Sequence, residues 1–171
     1  MFAVDDYIIY GNYGVCKVEK INVPNLLDMV GMSLLIGQGI GRWGNYANQE
    51  AFGTNTDLPW GMWSKKIAED IIRNQALHAE KGFYVDPEKF VHPTFLYESL
   101  WNAVGFVLLH FLSKKRQYDG QIALGYAAWY GLGRAFIEGL RTDSLWWGPF
   151  RVSQVLAAVT CFAAVVLLLI L

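Results

Sequence analysis

The charged residues that sit inside otherwise apolar stretches are where this sequence could do chemistry. Residues 121–140 carry no charge until Arg134; Glu138 and Arg141 follow it at i+4 and i+7, and Tyr130 precedes it by one turn. At about 100° per residue these four side chains share one narrow stripe of a helix. A cation at the centre of a bilayer costs about 2.5–3.5 kcal/mol on insertion scales, so such residues point to function. Two arrangements fit the spacing. One is an internal ion pair between Arg134 and Glu138 that merely neutralises both; the other is a polar cavity that binds an anion. Only the second accounts for Arg141 and Tyr130.

A second constellation, Gly41-Arg42-Trp43-Gly44-Asn45-Tyr46-Ala47-Asn48-Gln49-Glu50-Ala51-Phe52-Gly53, closes the first apolar segment. Glycine permits positive φ and can expose backbone N–H groups to an anion. Arg42 offers a planar fork that matches phosphate, and Asn45 and Asn48 can hydrogen-bond a hydroxylated headgroup. The same composition also suits a glycine-rich passage from helix to loop with polar capping residues. A third constellation, His92-Pro93-Thr94-Phe95-Leu96-Tyr97-Glu98, stands at the entrance to another apolar segment. Pro93 suits a helix start, which puts Tyr97 and Glu98 just inside the membrane. By itself His92 reads as structural.

The elements that must position these residues follow from composition. Of 171 residues, 54% are hydrophobic, 15% aromatic and 17% charged, against about 25% charged in soluble domains. Disorder is excluded. The 14 Lys+Arg against 15 Asp+Glu, a net charge of -1, argue against a nucleic-acid partner. Ser153 to Leu171 has no charge at all, and Leu26 to Arg42, Phe95 to Leu112 and Gln121 to Leu140 are nearly as apolar. A span needs about 20 such residues. The expected fold is all-α, a polytopic transmembrane bundle of about four spanning helices. Residues 54–91 form its extramembrane loop, with an amphipathic helix over Ile67 to Leu77 and interfacial Trp60 and Trp63. Gly37 and Gly41 make a small-xxx-small pair, a spacing that lets helices approach closely or lets backbone line a ligand. The basic turn Lys114-Lys115-Arg116 favours the cytoplasm, placing residues 54–91 and 141–151 outside and both termini inside. Cys16 and Cys161 form no ligand set, so neither metal nor cofactor is implied. Met1 to Ile21 shows no apolar h-region of a signal peptide.

Residues 1–21 read apart from the rest. Tyr7 to Tyr10 and Val15 to Val18 have strand content around the turn at 11–14. The stretch resembles the opening hairpin of CarD-like, RNA-polymerase-binding regulators, and it is expected to be an unrelated appendage to the membrane domain of residues 22–171.

GRWGNYANQEAFG, HPTFLYE, YGLGRAFIEGLRTDSL and GPFRVSQ, in that order, resemble the blocks of the bacterial prolipoprotein diacylglyceryl transferases. The resemblance implies a multi-pass enzyme of the bacterial inner membrane. Such an enzyme moves the diacylglyceryl group of phosphatidylglycerol onto the lipobox cysteine of a prolipoprotein signal peptide. Its partners are those two substrates and membrane lipid. Carried over by motif, Arg42 and Arg134 are the catalytic arginines, with Arg42 on the lipid phosphate. Asn45, Asn48, Glu50, Gly53, Tyr130, Glu138 and Arg141 shape the phosphatidylglycerol site, and His92, Tyr97 and Glu98 support it. An arginine aimed at the departing phosphate fits this chemistry, and no enzyme cysteine is required. Members of the family are longer and carry a His-Gly-Gly motif; the histidines here, His78, His92 and His110, lie in no such motif. The join near Ile21 therefore reads as a truncation, and the expectation is a chain that keeps the lipid-phosphate site but is impaired or inactive alone. A fragment that only binds anionic phospholipid is the alternative. A transporter-like bundle with Arg134 and Glu138 as a charge relay gives no reason for the GRWGN segment.

Overall fold

The computed structural model describes residues 7–9, 15–17, 22–148 and 150–171. Two short strands, β1 (Tyr7–Ile9) and β2 (Val15–Lys17), pair antiparallel with Tyr7 opposite Lys17. These are the strands expected of the opening hairpin; its turn at 11–14 lies outside the described residues. Five α-helices follow: α1 (Val23–Asn48), α2 (Lys65–Glu80), α3 (Thr94–Ser113), α4 (Gln121–Ile137) and α5 (Val152–Ile170). A two-residue hairpin, β3 (Trp146–Trp147) and β4 (Phe150–Arg151), separates the last two.

Each start and stop has a local cause. The Asn22 side chain accepts from the Asn25 N–H and a proline occupies the first turn of α1, both standard N-terminal devices. The helix ends where Gln49 turns left-handed at φ 53° and its N–H reaches back to the Asn45 and Tyr46 carbonyls. At 1.5 Å per residue α1 is about 39 Å long against a hydrocarbon core of about 30 Å. A span beginning at its N-terminus therefore runs out near Arg42. Pro93 caps α3, which starts at Thr94, as the sequence leads one to expect.

Helices stand in all four of the expected apolar segments, and three of them, α1, α3 and α5, are long and apolar enough to cross a membrane. The fourth, α4, has 17 residues and lies at the lower limit for a span. The helices pack as α1 on α3 and α4, α3 on α4, and α4 on α5. Their shared core holds Leu35, Leu109 and Ile122 with Met32, Phe106, Tyr126 and Trp129 around it. Large apolar side chains cover the outside; on α5, Phe162 is 72% and Leu169 82% exposed while Ala157 and Ala164 face inward. An apolar exterior of that extent belongs in lipid.

The extramembrane segment is a folded unit with its own core. Ile67 and Ile71, one turn apart on α2, pack with Phe52, Val85 and Val91. Bridges tie Asn55 and Met62 to Val91, and Gly53 to Arg141. The Ser64 side chain caps α2 by accepting from the Ile67 N–H, and the helix extends to Glu80, past the Leu77 of the sequence expectation.

Among the described residues, the glycine pair at Gly37 and Gly41 makes no close helix approach. A Cβ at either position would meet nothing within 4 Å. The packed face of α1 is the stripe Asp28–Gly31–Leu35, buried throughout, and Gly37 and Gly41 lie about half a turn away from it. Close helix contacts fall on other glycines. At Gly131 a Cβ would stand 2.7 Å from the Ala157 carbonyl oxygen of α5, and at Gly31 it would stand 3.1 Å from Tyr126.

Candidate functional site

The end of the bundle nearest the extramembrane unit holds a knot of buried charge. Glu98, in the second turn of α3, is 5% exposed. Its Oε2 lies 2.7 Å from Arg42 Nε on α1. Its Oε1 lies 3.5 Å from Arg134 Nη1 on α4 and 3.3 Å from Arg141 Nη1 beyond α4. Three guanidiniums from three separate segments thus converge on one carboxylate. Arg134 also reaches Glu138 Oε2 at 2.9 Å, but off the hydrogen-bonding angle, so that buried oxygen accepts no hydrogen bond. Tyr130 stacks on Tyr126 with ring centres 5.7 Å apart. It also lines a small cavity between α3 and α4 with Glu98, Trp101, Asn102 and Arg134.

Of the two arrangements compatible with the α4 stripe, the Arg134–Glu138 ion pair forms, but as part of a larger cluster. The stripe does not continue as a straight helix. Glu138–Leu140 is a 3-10 turn and Arg141 is extended at φ -75°, ψ 145°. That bend brings Arg141 back over Glu98 and onto Asp143, whose Oδ2 is 2.7 Å from Arg141 Nη2. Burial works against the charge on Arg141, yet the hydrogen bond and charge of Asp143, followed by the charges of Glu98 and Glu138, raise its pKa above the usual arginine value. For Asp143 burial acts upward, and the bond and charge of Arg141 outweigh it and hold the carboxyl below its ordinary range. Arg151, from β4, donates to the carbonyls of Glu138 and Arg141 and so ties the bend in place.

The glycine-rich segment is built differently from the expectation. Gly41 and Gly44 lie inside α1, and the positive φ angles fall on Gln49 (53°) and Ala51 (55°) instead. The helix simply runs on to Asn48, and the strain sits in the turn that leaves it. Gly53 is required for close approach: a Cβ there would lie 2.8 Å from His92 Cβ and 2.9 Å from the Leu140 oxygen. The Asn45 carbonyl accepts from the Glu50 N–H. Asn48 donates to Glu50 at 3.3 Å. Asn48 and Glu50 line a separate polar cavity of ≈ 260 Å³ with Lys66, Arg73 and Asp143. Thus Arg42, Glu98, Arg134, Glu138 and Arg141 come together, and Asn48 and Glu50 stand to one side.

His92 and Tyr97 form a third group. His92 Nδ1 lies 3.0 Å from the Tyr97 hydroxyl, which also accepts from Trp60 Nε1 at 3.0 Å. Burial lowers the His92 pKa, which favours neutral imidazole. No hydrogen bond joins this group to the arginines among the described residues.

Three features escaped the sequence reading. Asp28, 3% exposed, accepts from the Gly120 and Ala123 N–H groups at 2.9 and 2.8 Å and from Arg116 at 3.3 Å. It caps α4 from a neighbouring helix and meets the positive end of its dipole. Its signal was present, as the lone acid of the first apolar segment. Trp101 and Trp129 stack at 4.4 Å, and each indole N–H donates to the other's backbone carbonyl at 3.0 Å. Each indole occupies the space a Cβ would need at Gly133 and Gly105 respectively. The signal was a Trp-x-x-x-Gly spacing that occurs at Trp101–Gly105 and again at Trp129–Gly133. Arg151 lies in the GPFRVSQ block without a role readable from spacing.

Comparison with known proteins shows the family. Residues 7–170 match the family described as prolipoprotein diacylglyceryl transferase. The match therefore begins within the stretch that the sequence set apart. The chain is 47% identical over 141 residues to a phosphatidylglycerol–prolipoprotein diacylglyceryl transferase of Listeria monocytogenes, covering 82% of this chain and 47% of that protein. It is 43% identical over 146 residues to the one from Acaryochloris marina, 84% of this chain and 48% of that protein. For Clostridioides difficile the figures are 39% over 158 residues, 92% and 55%. The chain spans about half the length of these curated relatives. No solved structure matches it. With a family match over nearly the whole chain and relatives 39–47% identical over most of it, this chain belongs to the prolipoprotein diacylglyceryl transferase family.

Proposed function

We propose that this chain forms the lipid-phosphate site of a multi-pass enzyme of the bacterial inner membrane. The enzyme transfers the diacylglyceryl group of phosphatidylglycerol to the lipobox cysteine of a prolipoprotein signal peptide. The observation that carries the reading is the convergence of Arg42, Arg134 and Arg141 on one buried point. In the reaction the cysteine sulfur attacks the glyceryl carbon, a C–S bond forms, and the C–O bond to phosphate breaks. Glycerol phosphate leaves with the bonding pair, and the thiol proton passes to a base. Guanidiniums already aimed at the phosphate stabilise the charge that grows on its oxygens, with little reorganisation at the moment of reaction. A free thiol has a pKa of about 8.5, so the substrate needs help to ionise.

The test is transfer from phosphatidylglycerol to a lipobox peptide in membranes by a full-length counterpart that carries this chain's residues, with the thioether product followed by mass spectrometry. Arg42→Ala and Arg134→Ala are each expected to lower the rate about 100-fold or more, whereas Cys161→Ala leaves it unchanged. Activity that survives either arginine change sinks the assignment. A second reading, phospholipid binding without transfer, draws on the bonding of His92 to Tyr97 rather than to the arginine cluster. It predicts retained phosphatidylglycerol and no thioether product.

A further inference from the structure

Glu98 stands at the point on which the three guanidiniums converge. Its two oxygens engage the three guanidiniums, and a carboxylate presents the same paired acceptors to an arginine fork as a phosphate does. The carboxylate is buried, and about one turn further along α3 the reciprocal Trp101–Trp129 contact joins that helix to α4. A phosphate held by these arginines therefore lies beside a buried anion, with Glu138 on Arg134 and Asp143 on Arg141 as further acids.

Charge arithmetic says what such an anion does. The lipid phosphate is a diester with one negative charge; the leaving glycerol phosphate is a monoester that approaches two, its second pKa being about 6. Coulomb energy scales with the product of charges, so Glu98 repels the monoester about twice as strongly as the diester. Without Glu98 the same guanidiniums favour the doubly charged product over the substrate more strongly. We propose that Glu98 is a built-in counter-anion that weakens the hold on the departing phosphate monoester more than on the lipid, and so promotes product release. This rests on the lipid-phosphate reading of the arginine cluster.

The test uses the full chain in lipid nanodiscs. Binding of sn-glycerol 1-phosphate and inorganic phosphate is measured by calorimetry in phosphatidylcholine discs, and phosphatidylglycerol binding by its enrichment around the protein over phosphatidylcholine. Glu98→Gln is expected to tighten sn-glycerol 1-phosphate binding about tenfold or more, inorganic phosphate similarly, and phosphatidylglycerol distinctly less. An unchanged or weakened preference for the monoester overturns the proposal. Removing the anion can also unfold the site, because it leaves buried cations uncompensated. Glu98→Asp keeps the anion and is expected to leave the monoester preference close to that of the unaltered chain, and a preference shifted as far as in Glu98→Gln assigns Glu98 to positioning alone. If the unaltered chain binds neither phosphatidylglycerol nor either free phosphate, the functional reading falls first and this proposal with it. Binding of all three with an unaltered preference in Glu98→Gln overturns the proposal only.

Discussion

Buried titratable side chains set the behaviour of single residues here, and not only in the arginine cluster. His78, near the C-terminus of α2, is 5% exposed and stacks on Phe83 at 5.0 Å, while its Nδ1 finds no partner. Burial lowers its pKa, the nearby Lys81 lowers it further, and Asp70 opposes both. A histidine whose folded pKa lies below its unfolded value binds its proton more readily when unfolded. Stability is then fully present above the unfolded pKa of about 6.5 and is lost as pH falls through it. Thermal unfolding of the extramembrane unit should therefore move to lower temperature between pH 7 and pH 5. His78→Phe should show a smaller shift, since only His92, also lowered by burial, then contributes in the same direction. An equal shift in the variant removes His78 from the explanation.

At the scale of elements, two contacts hold the helices in the register that the cluster needs. Asp28 joins α1 to the start of α4 through two backbone N–H groups and Arg116. Asp28→Ala leaves those buried donors unpaired and should cost about 2 kcal/mol, read as a fall in the unfolding midpoint in detergent. The Trp101–Trp129 exchange sets the spacing of α3 and α4, because each indole lies where a Cβ would stand on the facing helix. Gly133→Ala should therefore destabilise by about 1–3 kcal/mol through overpacking, and it should loosen phosphatidylglycerol retention because Arg134 is the next residue. Gly37→Ala, on the open face of α1, should change neither. The contrast shows what sequence spacing can convey. The helices were legible as apolar runs, but which glycines touch a neighbour depends on how each helix is turned.

For the whole molecule, the exposed apolar surface decides the environment. Phe162, near the middle of α5 and 72% exposed, is expected to face lipid. Phe162→Arg should raise the cost of inserting α5 by about 2.5–3.5 kcal/mol, measurable as a reduced inserted fraction in a translocation assay; unchanged insertion would place α5 outside the bilayer. The end of the bundle that carries the arginine cluster also carries the folded extramembrane unit. The motif blocks are far apart in the chain yet lie together there. α1 runs toward that end, α3 starts from it, and α4 runs back to it, as Arg42, Glu98 and Arg134 record.

The sequence alone determined that the chain is a helical membrane protein, which segments are helical, and that Arg42, Arg134, Glu138 and Arg141 are its informative charges. Composition and apolar run length dictate those facts locally, because a lipid-facing helix must satisfy its own backbone and hide its charges. Tertiary structure alone decided that Glu98, a lesser member of the sequence constellations, is the centre on which three arginines close. It also moved Asn48 and Glu50 to a neighbouring polar cavity and made Gly53 a packing requirement. Those outcomes depend on how helices are rotated against one another and on the bend after α4. Rotation and bend come from long-range contacts such as Asp28 with Ala123 and Trp101 with Trp129, which no local pattern of residues encodes.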